Sequence, residues 1–133
     1  MRRALLALVA LLASAPVALA ERYTAVSNTA MSITGDVEMD DYGIVFANGE
    51  KLAFDDLVSY ELEVDGKRID ASVYHVAVPA APALLNGNLL CGSDKVTHVA
   101  SWPGSDGLTV VAVFATPDVP VSDTQVCASF TYE

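Results

Sequence analysis

The sequence predicts an all-β protein, a small antiparallel β-sandwich or barrel with one disulfide. Almost every segment after residue 20 shows apolar residues at alternate positions or short runs of β-branched residues, which is typical of strands. Turn-forming pairs such as Asp65-Gly66 and Asn86-Gly87 separate these segments. No long stretch shows the 3.6-residue apolar period of an amphipathic helix. The pattern predicts about seven to nine short strands and is compatible with either a sandwich or a barrel.

Residues 1–20 have the features of a cleaved secretory signal peptide. A short positive region precedes an apolar run over Ala4–Leu12, and the small residues that end at Ala20 suit signal peptidase. A transmembrane anchor is the alternative, but this run is shorter than the roughly 20 residues that cross a bilayer. We therefore expect residues 21–133 to form a single β-rich domain in the periplasm, with no membrane span.

The chain is strongly acidic, with 17 Asp and Glu residues, 7 Lys and Arg residues and a formal net charge of -10. Cleavage after Ala20 removes Arg2 and Arg3 but no carboxylate, so the remaining domain is more negative still. Such a charge repels nucleic acid and anionic lipid, and it speeds the encounter with cationic molecules. We therefore expect a cationic protein partner and no nucleic acid.

The chain has two cysteines, Cys91 and Cys127, and both follow the signal peptide. In an exported protein such a pair is expected to form a disulfide. The loop that it closes contains 37 residues, counting both cysteines, and the chain-entropy relation predicts about 4 kcal/mol of stabilisation. A catalytic thiol or a metal-binding pair is the alternative, but the sequence has neither a CxxC spacing nor clustered histidines.

The N-terminal part of the domain is predicted to form several short strands. Tyr23–Ile33 has the composition of one or two strands, and residues 37–54 have the composition of several more. Turn signals at Asp40–Gly43 and at Asn48-Gly49 divide the second segment.

A first hairpin is predicted around the Asp65-Gly66 turn. Apolar and polar side chains alternate before the turn, and Lys67–Val78 returns after it as a long strand. One face of the outgoing strand should be buried and the other exposed. The apolar positions on the predicted buried face are Val58, Tyr60, Leu62 and Val64. Val78–Leu90 contains two prolines and the Asn86-Gly87 pair, which predicts a crossover loop that ends in a turn.

A second hairpin joins Lys95–Trp102 to Leu108–Ala115 through the loop Pro103–Gly107. Val126–Tyr132 is predicted as the last strand, and it contains Cys127. The predicted disulfide would therefore connect the last strand to the start of the second hairpin.

Two loops are candidate binding surfaces. In the second hairpin, Trp102, Ser105 and Asp106 place an aromatic ring, a hydroxyl and a carboxylate together, a combination suited to partner binding. The alternative for Trp102 is a packed position over the open end of the sheet. Asp40, Asp41 and Tyr42 form a second candidate of the same type. These six residues are our predicted partner-binding residues.

The sequence predicts no catalytic, metal or cofactor site. The cluster Asp36–Asp41 resembles a calcium loop in its alternate carboxylates, but glycine is not at the sixth loop position and glutamate is not at the twelfth. A solvated strand edge, whose charges discourage edge-to-edge pairing, is the preferred interpretation. His75 and His98 lie in predicted strands without the further ligands that zinc needs. A Ser93-Asp94-His98 triad would lack a recognisable nucleophile motif.

Three segments and one cysteine carry a resemblance to a known group of proteins. They are SNTAMSITGDV (Ser27–Val37), FANG (Phe46–Gly49), LLNGNLLCG (Leu84–Gly92), and Cys127 ahead of a terminal aromatic strand. On these features the chain resembles a group of small periplasmic proteins from alphaproteobacteria that includes an inhibitor of peptidoglycan hydrolases. The shared motifs are turns and a cysteine, so the resemblance implies an activity without locating its residues.

The resemblance implies a non-enzymatic periplasmic protein that binds and inhibits a lysozyme or a lytic transglycosylase. The acidity of the chain agrees with this, because host lysozymes are typically cationic and would be steered toward it. The alternative hypothesis is a small β-barrel carrier for an apolar envelope ligand, which the apolar content of the strands suggests.

Overall fold

The computed structural model describes residues 20–133, so the predicted signal peptide, apart from Ala20, lies outside the described residues. Eight strands account for most of the described chain. They are β1 (Glu21–Tyr23), β2 (Val37–Asp40), β3 (Gly43–Val45), β4 (Lys51–Val64), β5 (Lys67–Ala80), β6 (Val96–Pro103), β7 (Thr109–Phe114) and β8 (Ala128–Tyr132). The all-β prediction is therefore confirmed.

The strands form an antiparallel meander in which each strand pairs with the next along the chain. The residues after β1 then reach β8: the N–H of Thr24 donates to the carbonyl of Glu133 at 3.1 Å, and the N–H of Glu133 donates back at 2.8 Å. A further bridge joins Ala25 to Tyr132. The sequence is compatible with a sandwich or a barrel, and the structure is a nearly closed barrel.

Both predicted hairpins are present. β4 and β5 are joined by Asp65 and Gly66, whose φ angles of 52° and 77° match a two-residue hairpin turn. β6 and β7 pair from His98 with Phe114 to Pro103 with Thr109. The predicted turns therefore fix the connections of the long strands.

One predicted strand segment is wrong. Tyr23–Ile33 was expected to be extended, but only Glu21–Tyr23 is a strand, and Ala30–Thr34 forms a single π-helical turn. The N–H of Ala30 donates to Ser27 Oγ at 3.2 Å, and the N–H of Gly35 donates to the carbonyl of Ala30 at 2.7 Å. These local bonds replace a strand ladder.

The barrel interior is filled by apolar and aromatic side chains. Its buried members include Ile44, Phe46, Leu52, Phe54, Tyr74, Phe130 and Tyr132. Thr34, from the π-helical turn, shares a 2.7 Å hydrogen bond with the hydroxyl of Tyr132, which gives the buried phenol a polar partner. The inside of the barrel is therefore a packed core.

A second core lies on the opposite face of β5, β6 and β7. Its buried members are Leu62, Ala71, Val73, Ala100, Trp102, Ala112 and Phe114. The second half of β4 and the segment that follows β7 cover this face, with the N–H of Glu63 donating to the carbonyl of Val121 at 2.9 Å. We call this group of side chains the outer core.

The predicted alternation in β4 is only partly right. Leu62 is 1% exposed as expected, but Tyr60 is 74% exposed. Register shifts between β4 and β5 lie at Leu57–Ser59 and Ser59–Glu61. Such irregularities re-aim the side chains of a strand, which explains why a strict period of two does not hold here.

The predicted disulfide between Cys91 and Cys127 is confirmed, with a Cα–Cα distance of 5.2 Å. Cys127 immediately precedes β8, and its N–H donates to the carbonyl of Val113 in β7 at 2.9 Å. Cys91 lies five residues before β6. The bond thus connects the last strand to the segment that leads into the second hairpin, as predicted.

Candidate functional site

The first candidate loop divides into a buried aromatic residue and an exposed tip. Trp102 belongs to β6, is 8% exposed and packs in the outer core. It is therefore a packed residue, the alternative that the sequence left open, and not an exposed residue at the tip of the loop. Ser105 and Asp106 are exposed in a short turn over Ser105–Gly107. Asp106 has a φ of 56°, and its side chain makes no hydrogen bond to the described part of the chain. The turn is closed by the N–H of Leu108, which donates to the carbonyl of Ser105 at 3.0 Å.

The second candidate loop is the tight turn between β2 and β3. Asp40 Oδ1 accepts the N–H groups of Tyr42 at 2.7 Å and Gly43 at 3.0 Å, so this carboxylate holds the turn. Asp41 Oδ1 accepts the hydroxyl of Tyr74 at 2.6 Å. Tyr42 is 70% exposed at the tip. Asp40 and Asp41 are therefore held in place by local bonds, while Tyr42 projects into solvent.

Both loops border one continuous groove at an end of the barrel. It consists of a larger cleft of about 620 Å³ and a smaller one of about 290 Å³, and both are lined by Tyr23, Ser72 and Ser101. Trp102 borders the larger cleft, and Asp40 and Asp41 border the smaller one. The structure thus brings together three of the six predicted binding residues around what we call the groove. Ser105, Asp106 and Tyr42 do not line it and lie on the adjoining turns.

The groove exists because two neighbouring strands separate. The pairing of β5 with β6 ends at Ser72 and Ser101. Beyond that point Asp70 of β5 pairs with β4, while Trp102 and Pro103 of β6 pair with β7. The larger cleft lies between the two diverging strands, and Ser72 and Ser101 form its inner end.

The groove is acidic. Glu21, Asp40 and Asp41 line the smaller cleft and Asp70 lines the larger one. Of the described residues that line either cleft, none is basic. A concave surface with charge of one sign concentrates the field and attracts ligands of the opposite charge.

Two phenols of the groove have a raised pKa. Burial, followed by the hydrogen bond and the charge of Glu21, raises the pKa of Tyr23 to about 12, and the hydroxyl donates to Glu21 Oε2 at 2.7 Å. Burial, the hydrogen bond to Asp41 and its charge raise the pKa of Tyr74 to about 12. Tyr74 also stacks on Phe54, with ring centroids 4.7 Å apart. Through these two hydrogen bonds the phenols orient the carboxylates beside them.

Sequence reasoning missed Tyr23, Tyr60, Asp70, Ser72, Tyr74 and Ser101 as residues of the site. They come from four strands, β1, β4, β5 and β6, and each looks locally like an ordinary strand residue. The one available signal is polarity: Ser72 and Ser101 are hydroxyl residues within strongly apolar strands. Their pairing across β5 and β6 becomes visible only with the register.

The two histidines are neighbours, which the sequence did not show. His75 and His98 are paired across β5 and β6, with ring centroids 5.3 Å apart. His75 Nδ1 lies 2.8 Å from Asp55 Oδ1, and His98 Nδ1 lies 2.9 Å from Thr97 Oγ1. Burial, and next the charge of His75, lower the pKa of His98, which is 2% exposed.

The acidic segment Asp36–Asp41 does not converge on one point. Asp36 Oδ1 accepts the N–H of Ala25 at 2.9 Å, while Asp40 and Asp41 make the separate bonds described above. Within residues 20–133, no group of three or more His, Cys, Asp or Glu side chains is arranged to hold a metal ion. In the same part of the chain, no helix is long and apolar enough to cross a membrane.

No protein-family model, curated protein or solved structure matches this chain. Its site is therefore described by its own geometry: an acidic groove with aromatic walls, flanked by two exposed turns.

Proposed function

We propose that the protein is an exported, non-enzymatic binding protein that inhibits a cationic peptidoglycan hydrolase, a lysozyme or a lytic transglycosylase, in the periplasm. The observation that carries the proposal is the convergence of both candidate loops on one acidic groove. A cationic enzyme would be steered to this end of the barrel and oriented by its field.

The exposed turns beside the groove supply the remaining contacts. Tyr42 on one side and Ser105 and Asp106 on the other project beyond the lining residues. A partner that covers the groove would meet all three. Because β2–β3 and β6–β7 hold these turns, binding requires little ordering of the inhibitor, which favours affinity.

The carrier hypothesis gains no support from the barrel interior. Phe46, Phe54, Phe130 and Tyr132 are all at most 7% exposed and belong to one packed cluster. An apolar ligand would have to displace these side chains. The packed core is what a rigid inhibitor scaffold needs, since rigidity preserves the geometry of its contact loops.

The test is clearance of a peptidoglycan suspension by a C-type lysozyme, and by a muramidase from the producing bacterium, titrated with oxidised protein 21–133. We expect inhibition that saturates near one-to-one stoichiometry and persists at about 0.15 M ionic strength, where charges are screened beyond about 8 Å. Inhibition that disappears at this ionic strength would show charge pairing alone. No inhibition of either enzyme would refute the proposal.

Two carboxylate variants locate the site. Asp41→Asn and Asp70→Asn each remove one charge from the groove, whereas Asp118→Asn removes one from an exposed loop that does not line it. The groove variants should weaken inhibition several-fold, and Asp118→Asn should weaken it little. Equal effects of all three would show that total charge, and not the groove, governs binding.

A further inference from the structure

We infer that the larger cleft is a receptor for one arginine side chain of the protein partner. This inference rests on the proposed function, because it specifies how the same groove recognises a cationic enzyme. The cleft is lined by three aromatic residues, one carboxylate and three Ser or Thr hydroxyls, namely Tyr23, Tyr60, Trp102, Asp70, Ser72, Ser101 and Thr109. Because Trp102 is only 8% exposed and packs in the outer core, Tyr23 and Tyr60 offer the more accessible rings.

The aromatic walls suit a flat cation. Tyr60 is the most exposed of the three rings, at 74%, although it lies on a strand whose neighbours Leu62 and Val64 pack in the outer core. The irregular pairing of β4 with β5 turns this ring outward, beside the cleft. A guanidinium group stacks favourably on aromatic faces, and its weak hydration lowers the cost of leaving water.

The polar groups of the cleft match the donors of the same cation. Asp70 is exposed on the rim, and its side chain makes no hydrogen bond within residues 20–133, so its two oxygens are available to a planar fork of N–H donors. Ser72 and Ser101 face each other at the inner end, where hydroxyl oxygens can accept further donors.

The choice of arginine follows from charge and shape together. None of the described residues that line the cleft is basic, so nothing in its lining competes for Asp70. A cleft of about 620 Å³ accommodates an extended side chain and its backbone. A lysine ammonium, which is compact and strongly hydrated, would use the aromatic walls less well.

The test uses the oxidised protein 21–133 and three short peptides that differ at one position: Ac-Gly-Arg-Gly-amide, its lysine analogue and its citrulline analogue. Citrulline keeps the shape of arginine but not the charge. Binding is followed by NMR through the indole N–H of Trp102 and the backbone amides of Tyr60, Asp70 and Ser72. We expect saturable shifts at these positions, with the citrulline peptide weaker by about tenfold, as the loss of a charged, stacked contact implies.

Matched variants separate the cleft from the general acidity. Asp70→Asn and Tyr60→Ala should each weaken the arginine peptide several-fold, while Asp118→Asn should leave its affinity unchanged. Both altered side chains are exposed, so the fold should survive, and Trp102 fluorescence checks this. Equal binding of the arginine and citrulline peptides, equal binding of arginine and lysine, or equal effects of Asp70→Asn and Asp118→Asn would each overturn the inference.

The inference and the proposed function can fail separately. If the peptide binds as expected but no hydrolase is inhibited, the cleft is an arginine receptor for another partner and the proposed function is wrong. If Asp70→Asn and Tyr60→Ala inhibit a hydrolase as well as the unaltered protein does, the inhibitor is established and the arginine receptor is refuted.

Discussion

Removing the disulfide between Cys91 and Cys127 should cost about 4 kcal/mol of unfolding free energy. The bond closes a loop of 37 residues. Without it, the unfolded chain gains conformational entropy, and the chain-entropy relation converts that gain into this value. That is a large part of the 5–15 kcal/mol that typically stabilises a domain, so the variant should be clearly less stable than the oxidised protein.

The outer core contains its own reporter for this measurement. Trp102 is the single tryptophan, and the partly buried Val126, next to Cys127 in the chain, packs against the same cluster. Urea unfolding of a Cys91→Ala/Cys127→Ala variant, followed by Trp102 fluorescence, should shift to lower urea relative to the oxidised protein. The unaltered protein in reductant should match the variant. A loss below about 1 kcal/mol with an unchanged urea dependence would refute the reasoning.

Three further predictions follow from the buried groups. The free energy of unfolding should fall as the pH drops below about 6.5, because the lowered pKa of His98 makes the unfolded state the better proton acceptor. His98→Gln should flatten this pH dependence in urea titrations at several pH values, and an unchanged dependence of stability on pH would contradict the prediction. Trp102→Ala should lower the free energy of unfolding by about 3–5 kcal/mol, measured by thermal or urea unfolding, and Trp102→Phe should lower it clearly less. An alanine variant as stable as the unaltered protein would show that Trp102 does not pack in the outer core. Asp41→Asn should lower the pKa of Tyr74 from about 12 part of the way toward 10 in a phenolate absorbance titration. The decrease is only partial because burial, the largest cause of the raised pKa, is unchanged. An unchanged pKa would argue against the hydrogen bond between Tyr74 and Asp41.

The sequence predicted those parts of the fold that depend on local chemistry. Asp65-Gly66 can adopt the positive φ angles of a hairpin turn, so the hairpin between β4 and β5 was placed correctly, although β4 begins at Lys51, before the predicted strand. Cys91 and Cys127 had no other partner in the chain and were paired correctly. Turn residues and cysteines act over short distances or by elimination, and both can be recognised without knowing the register.

The sequence failed where register decides the outcome. Tyr60 has the expected apolar character and period, but irregular pairing turns it from the core to the groove. The Ala30–Thr34 turn has strand-like composition, and hydrogen bonds to Ser27 and Tyr132 fix its helical form. The groove itself depends on where β5 and β6 cease to pair, which is a relation between strands and not a property of either one.

The hydrogen bonds between residues 24–27 and β8 affect the order in which the chain folds during synthesis. Elsewhere in the barrel each strand pairs with its neighbour in the chain, but Ser27 Oγ accepts the N–H of Thr131, 104 positions away. Closing so long a loop is entropically costly, so local hairpins should form first and these bonds last. Throughout synthesis, residues 24–27 therefore lack their β8 partner until β8 arrives, and an unpaired edge can recruit another nascent chain. Biogenesis of this barrel should thus depend on dilution or on a chaperone that covers residues 24–27 while their distant partner strand is still being made.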